Sequence, residues 1–312
     1  MEARTHPPAW KILLAFAIIY FVWGSTFLSI RVGVREVPPF VLAAMRFLVA
    51  GAVLYGWMIA RGEPAPDLRQ WRSATLLALL IFVLDYGLLF WAEQTVPSGI
   101  TAVMMATIPV FMALMEIIFL RTQKLTLRLA LALSIGICGV AVLMNRSSGL
   151  AGAPIETTGA VALLIAAVSW SLSSILTRKL PLPPSKVMSS GSQMLAGGIL
   201  LTFTAGALGE FHNFHPLTVS LGAWLALLYL IVAGSIVGFT AYVWLIHHES
   251  PTKVGTYAYV NPVVAVLVGY FLGGEELGLR TILGTLLVLV SVIVITTTNV
   301  KKVEQVPAEM RT

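Results

Sequence analysis

The chain reads as a series of long apolar runs separated by short polar connectors. A helix that crosses a bilayer needs about 20 mostly apolar residues, and windows of that kind fall at 11–30, 39–60, 73–94, 98–120, 128–145, 159–178, 187–208, 222–247, 253–274 and 281–299. These windows predict ten transmembrane helices. Barrel strands would instead alternate in polarity over about ten residues, whereas continuous runs let each segment satisfy its own backbone amides in hydrocarbon. The first run follows a short basic lead without a small-residue cleavage pattern, so it reads as a retained span and not as a signal peptide.

Composition excludes the soluble alternative. Of 312 residues, 58% are hydrophobic and 11% charged, against roughly a quarter charged in soluble domains, and mean hydropathy is +0.89. Cys138, in the run 129–144, is the one cysteine, which leaves no intramolecular disulfide and no cysteine zinc site. The net charge of +6 does not point to nucleic acid, because the basic residues lie between the apolar runs. With a cytoplasmic N-terminus, fifteen Lys and Arg fall in inner segments and four (Arg31, Arg35, Arg146, Arg280) in outer ones, with Arg46 inside a span. That is a positive-inside bias, and ten spans then place both termini in the cytoplasm.

The chain also matches itself. Trp23 and Arg31 correspond to Trp170 and Arg178, the stretch from Arg46 to Gly51 corresponds to that from Gln193 to Gly198, and Trp91 stands to Pro109 as Trp244 stands to Pro262. The two copies are read as residues 10–146 and 157–299, followed by a cytoplasmic tail at 300–312. Five spans per copy is an odd number, so the second copy must insert upside down. Inversion brings Trp23 and Trp170, and Pro109 and Pro262, towards mid-membrane from opposite sides, as alternating access requires. Packing alone could also preserve such a duplication.

Four stretches carry a family resemblance: Trp23-Gly24-Ser25-Thr26; Arg46-Phe47 with Ala50-Gly51; Ala92-Glu93 through Pro97-Ser98-Gly99 to Ala106-Thr107-Ile108-Pro109; and Tyr257 to Leu267 around Asn261-Pro262. Together, over about residues 10–299, they resemble the EamA branch of the drug/metabolite transporters. The resemblance implies a ten-helix, all-α membrane fold in which helices 1–4 and 6–9 surround a central cavity while helices 5 and 10 sit outside. It also implies export of amino acids, related metabolites or drugs. The second half ends its fourth helix with Gly273-Gly274-Glu275, as the family does, but the first half has Arg121-Thr122-Gln123 there. A role for that glutamate therefore does not transfer to the first half.

Charges inside a membrane cost roughly 2.5–3.5 kcal/mol on insertion scales and are candidates for function. Arg46, Asp85, Glu93 and Glu116 are such residues, and their counterparts Gln193, Gly238, Ile246 and Gly269 are uncharged. Arg46 and Asp85 lie at similar depth, roughly 12–15 Å from the outer end at 1.5 Å per residue. They are expected either to form a structural ion pair or to gate and bind a substrate carboxylate. Asp85, Glu93 and Glu116 are the candidates for ion coupling; alternatively Glu93 is an interfacial carboxylate reaching water and Glu116 snorkels to the cytoplasm. Trp23, Ser25, Trp170, Tyr242, Tyr257, Tyr259 and Asn261 are candidate cavity residues, with helix packing as the alternative for the aromatics. Pro109 and Pro262 interrupt the helix ladder and could serve as hinges or as static kinks. His247-His248 reads best as a solvated pair, and the Gly234/Gly238 and Gly269/Gly273 spacings as close helix contacts.

No Gly-x-x-x-x-Gly-Lys-Ser/Thr motif is present, which argues against an ATP-driven pump within this chain, and no His-Glu-x-x-His or Gly-x-Gly-Asp supports an intramembrane enzyme. The sequence therefore points to a secondary transporter of the inner membrane without cofactor, exporting a small metabolite by alternating access, with proton antiport as one form of coupling. An uncoupled facilitator and an importer are the alternatives. The expected partners are a small-molecule substrate and the lipid bilayer, with no nucleic acid, and the protein is expected to be a monomer or homodimer.

Overall fold

The computed structural model describes residues 7–115, 117–118, 125–144, 156–177, 179–248, 254 and 256–297. Among these residues the secondary structure is helical, with no strands. Helical segments lie within all ten predicted windows. Seven helices are long and apolar enough to cross a membrane: α1 (Ala9–Val34), α2 (Pro39–Ala60), α3 (Leu68–Ala92), α4 (Ser98–Met115), α5 (Leu127–Met144), α6 (Thr157–Thr177) and α8 (Leu221–Tyr242). Between α6 and α8 runs α7 (Lys186–Ala207), 22 residues long, whose Ser, Gly and Gln lower its hydropathy below that of its neighbours. Two further apolar helices are shorter, α9 (Tyr257–Gly273) and α10 (Leu279–Ile295). Glu116, the tail at 300–312 and most of the connectors after α4, α5 and α8 lie outside the described residues.

Glycines decide which helices touch backbone to backbone. The closest pair is α2 with α7, where a Cβ at Gly51 would run into the backbone of Leu195 and one at Gly198 would sit 2.6 Å from the Leu48 amide nitrogen. Gly191 likewise faces Tyr55, at 2.8 Å. As the partner number on α2 rises, that on α7 falls, so the two helices run antiparallel. The contacts are also reciprocal: Gly51 on Leu195 is the counterpart of Gly198 on Leu48 in the sequence repeat, the signature of a two-fold interface. The α5–α10 pair repeats the pattern, with Gly136 against Ser291 and Gly284 against Leu143, and Ser291 Oγ donates to the Ala132 carbonyl at 2.6 Å. Equivalent helices of the two halves therefore oppose each other in direction.

Apolar side chains on the outer faces, among them Phe21, Phe203, Leu225, Phe271 and Leu283, remain exposed, as lipid contact requires. Inside, the main apolar cluster runs from Ile30 and Phe47 through Phe82 and Phe90 to Leu201 and Leu230 and so spans both halves, and a smaller one gathers Ile19, Leu245 and Val254.

Among the described residues, three longer stretches wind as π-helix, Ile18–Val22 in α1, Leu79–Gly87 in α3 and Leu230–Val237 in α8, and Ile117 and Ile118 after α4 are wound in the same way. Such turns shift the hydrogen-bond ladder and often mark functional sites. Side chains answer the carbonyls in these stretches. Ser169 Oγ of α6 donates to Leu80 in α3 at 2.8 Å, and Trp23 Nε1 of α1 donates to Gly234 in α8 at 3.0 Å. The π-turns of α3 and α8 thus receive donors from α6 and α1, again in repeat-related fashion.

The two prolines sit differently. The helix of α4 pauses at Ala106–Thr107 just before Pro109, and Ser171 of α6 donates to the Ile108 carbonyl there at 3.1 Å. Pro262 lies inside an uninterrupted α9. The Asn261 amide, oriented with its nitrogen towards α1, donates to the Ile19 and Tyr20 carbonyls at 3.2 Å each.

Candidate functional site

Two groups of side chains meet at the π-turn of α8. The first is a ring cluster: Trp23 lies 5.4 Å from Tyr242 and 5.3 Å from Tyr257, and the two tyrosines are 6.0 Å apart. Gly238 makes room for it, since a Cβ there would be 2.5 Å from Trp23 Nε1.

The second group surrounds Arg46, which is only 3% exposed. Its guanidinium lies over Phe47, Tyr86 and Phe90 at 4.8, 5.2 and 6.0 Å, and its Nε donates to Ser235 Oγ at 2.9 Å. Its Nη1 is buried without a hydrogen-bond partner. Trp170 joins through Tyr86, with ring centres 6.1 Å apart. Gly234 connects the two groups: its carbonyl receives Trp23, and a Cβ on it would stand 3.3 Å from Arg46 Nη2. Gly234 was read from its spacing to Gly238 as a close helix contact, whereas Tyr86 and Ser235 were not singled out from the sequence. The position of Tyr86 beside Asp85 was the available signal; Ser235 offered none, since an isolated serine in an apolar helix is commonplace.

The expected Arg46–Asp85 ion pair does not form. Asp85 is 1% exposed and its Oδ1 has no hydrogen-bond partner, while the one ion pair among the described residues joins Arg31 to Glu275 at 3.4 Å. Equal depth on two helices does not put two side chains on facing sides. By the sequence repeat, Asp85 instead occupies the position that Gly238 holds against Trp23.

Glu93 is fully buried, and neither of its carboxylate oxygens has a hydrogen-bond partner. The alternative that it reaches water fails, since its side chain is buried within the protein. Arg31, counted above as an outer topology signal, turns inward and donates to the Glu93 and Val96 carbonyls at 3.3 and 2.5 Å. Glu275 accepts from the Ser98 amide and hydroxyl, both at 2.7 Å, and from the Gly99 amide at 3.0 Å. Of the residues that the sequence marked for ion coupling, Glu93 thus adjoins a second polar centre built on the Arg31–Glu275 pair.

The remaining candidates are more local. Ser25 donates to the Phe21 carbonyl at 2.7 Å and lies 2.7 Å from the Tyr229 hydroxyl, away from the ring cluster. Tyr259 is half-buried against the main core, and Tyr20 bonds Thr256 across from it. His248 stacks on Trp244 at 4.2 Å and is exposed. Of the residues expected to line a central cavity, Trp23, Tyr242 and Tyr257 are packed against one another. An open depression of about 270 Å³ lies at the end of the bundle between Glu63, Asp67, Pro183 and Ser185.

The EamA-like transporter family profile matches residues 10–145 and 157–297, one copy for each half. The inner membrane transporter YedA of Escherichia coli (strain K12) is 39% identical over 279 residues, covering 89% of this chain and 87% of its own. The chain belongs to the EamA-like transporter family. A transporter of Archaeoglobus fulgidus is 24% identical over 296 residues, covering 94% of this chain and 97% of its own. A solved crystal structure superposes with a TM-score of 0.61 at 22% identity, over 91% of this chain and 95% of that one, and so shares the fold. The protein is therefore a transporter rather than an enzyme, embedded in the inner membrane and handling small molecules.

Proposed function

We infer that this EamA-like transporter exports a small amphipathic metabolite bearing a carboxylate, such as an amino acid or an aromatic acid, by alternating access. In this reading ten helices form two inverted repeats, 10–146 and 157–299, with both termini and the tail in the cytoplasm. Export direction follows the resemblance to the EamA branch.

One observation carries the substrate class. Arg46 is buried among three rings and, among the described residues, bonds only a serine hydroxyl, keeps Nη1 unpartnered and has no carboxylate within ion-pair distance. A buried guanidinium without a counter-ion is expensive. A substrate carboxylate would supply the missing acceptor, and the rings of Tyr86, Trp170, Trp23 and Tyr257 would take its apolar body. Occupation requires the packed centre to open, as it would when access alternates. Asn261 and Ser25 then serve the helix framework around the site, and Pro109 and Pro262 its hinges.

For coupling, proton antiport through Asp85, Glu93 or Glu116 is the favoured form, since two of these carboxyl groups are buried with unpartnered oxygens. The test is flux of radiolabelled carboxylate-bearing amphipathic solutes, alongside their amides, in proteoliposomes with an imposed pH difference. Preferential movement of the acids, driven by ΔpH against their gradient, supports the reading. Equal handling of acid and amide removes the role of Arg46, and final levels indifferent to ΔpH leave a facilitator.

A further inference from the structure

Helix starts show an asymmetry between the two ends of the bundle. A helix leaves its first amides unpaired, and a side-chain acceptor at the N-cap normally answers them. Helices α2 and α4 begin after Pro38 and Pro97, which have no acceptor to give. In each case the missing acceptor is a glutamate from the other half of the molecule. Glu210, after α7, accepts from the Val41 amide at 3.0 Å. Glu275, after α9, accepts from the Ser98 and Gly99 amides and pairs with Arg31. A third glutamate crosses in the opposite direction, from the first half to the second. Glu36, after α1, accepts from the amide and hydroxyl of Ser220 at the start of α8, both at 2.6 Å, and so adds a crossing contact to the local cap that Ser220 makes by accepting from the Ala223 amide at 3.2 Å.

All three lie at the end of the bundle formed by the α1–α2, α3–α4, α7–α8 and α9–α10 connectors. At the other end the described caps are local. Asp67 makes a reciprocal capping box with Gln70, three residues on in its own helix, and Ser185 caps Met188 in the same way. Local caps survive when two halves move apart, whereas caps that cross between halves must break. Carboxylates on helix N-termini are also the stronger kind, because the charge meets both free N–H groups and the positive end of the helix dipole.

We propose that Glu36, Glu210 and Glu275 are latches that hold this end of the transporter closed, and that opening towards it requires all three to release. They are positioning residues for transport and touch no substrate. By the distribution of basic residues the latched end is the outer one. This assignment rests on the inverted-repeat reading of the fold but not on the nature of the substrate.

The test measures access without substrate. In a Cys138→Ala background a reporter cysteine replaces Thr26, a buried residue of α1 beside Gly234 and about one helical turn below Arg31, and its reaction with a membrane-impermeant methanethiosulfonate is timed separately from each side of sealed vesicles. A helix cap of this kind shifts a two-state equilibrium about fivefold. Each of Glu36→Gln, Glu210→Gln and Glu275→Gln is therefore expected to raise the rate from the latched side about fivefold, and the triple variant about a hundredfold, while the rate from the opposite side falls. Asp67→Asn removes a cap that does not cross between halves, and is expected to change neither rate. Glu36 is exposed, so Glu36→Gln provides a reading even if a buried variant misfolds. Unchanged labelling in Glu36→Gln and the triple variant, or an equal rise from both sides that Asp67→Asn reproduces, would overturn the proposal. A failed flux assay with normal latch behaviour would instead count against the substrate reading alone.

Discussion

Replacing Arg46 by Gln separates binding from folding. The substitution removes the Ser235 hydrogen bond at 2.9 Å and three cation–ring contacts. A hydrogen bond to a charged group contributes about 1.5–3 kcal/mol, and a cation–ring contact about 0.5–2 kcal/mol. Against this, the change removes a buried charge with an unpartnered Nη1 and no acidic partner, whose desolvation costs several kcal/mol. The two contributions offset each other, so thermal stability in detergent should move by less than about 1.5 kcal/mol. Substrate binding has no such offset. Losing one partner of a buried charge pair costs about 2–5 kcal/mol, so KM for a carboxylate substrate should rise at least about 30-fold while KM for its amide changes little. Transport kinetics in proteoliposomes, paired with thermal unfolding of the same preparations, provide the measurement. Equal loss for acid and amide, or loss that tracks unfolding, would show that Arg46 is structural.

Trp23→Ala should lower transport several-fold without lowering the amount of protein in the membrane, since it empties the cluster with Tyr242 and Tyr257; unchanged flux would place that ring outside the path. Gly51→Leu and Gly198→Leu should destabilise by similar amounts, about 1–3 kcal/mol or more, because each meets the facing backbone at a reciprocal contact. Widely different unfolding temperatures for the pair would deny the two-fold relation. Acidification should act on two of the outer latches in turn and in opposite senses. Burial holds the Glu210 carboxyl above its ordinary 4.5, outweighing the Val41 and Phe40 amides, whereas the Ser220 hydrogen bonds hold exposed Glu36 below 4.5. As pH falls, Glu210 therefore takes its proton first, at a pH above the usual carboxylate value, and protonation there favours the folded form. The Glu36 contact persists through that range and is lost only as pH drops through its lowered value, which costs stability. The pH profile of reporter labelling should lose its upper step in Glu210→Gln and its lower step in Glu36→Gln; a single step unaffected by either variant would refute the assignment.

Much of the fold was readable because hydropathy is a local property: each window is set by its own residues, and the odd number of spans per copy predicted that equivalent helices such as α2 and α7 run in opposite directions. Arg46 and Trp23 also stood out, one by its charge in hydrocarbon and the other by its repeated partner. The π-turns were hidden, since Leu79–Gly87 and Leu230–Val237 carry no residue that distinguishes them from ordinary helix. Depth along a helix gave the wrong partner for Arg46, because depth fixes height and leaves the facing side open. Arg31 and Glu275 could not be joined from sequence. Arg31 looked like a loop charge and Glu275 like half of a turn motif, and only the packing of α1 against α4 and α9 brings them together.

The account depends on the second half lying upside down relative to the first. Epitope tags at residue 1, after residue 312 and within the connector at 146–156, probed from each side of sealed inner-membrane vesicles, measure this directly. Both terminal tags should report from the cytoplasmic face and the connector tag from the opposite face. Termini on different faces, or a connector on the cytoplasmic side, would contradict the inverted arrangement and with it the exchange of access between the halves.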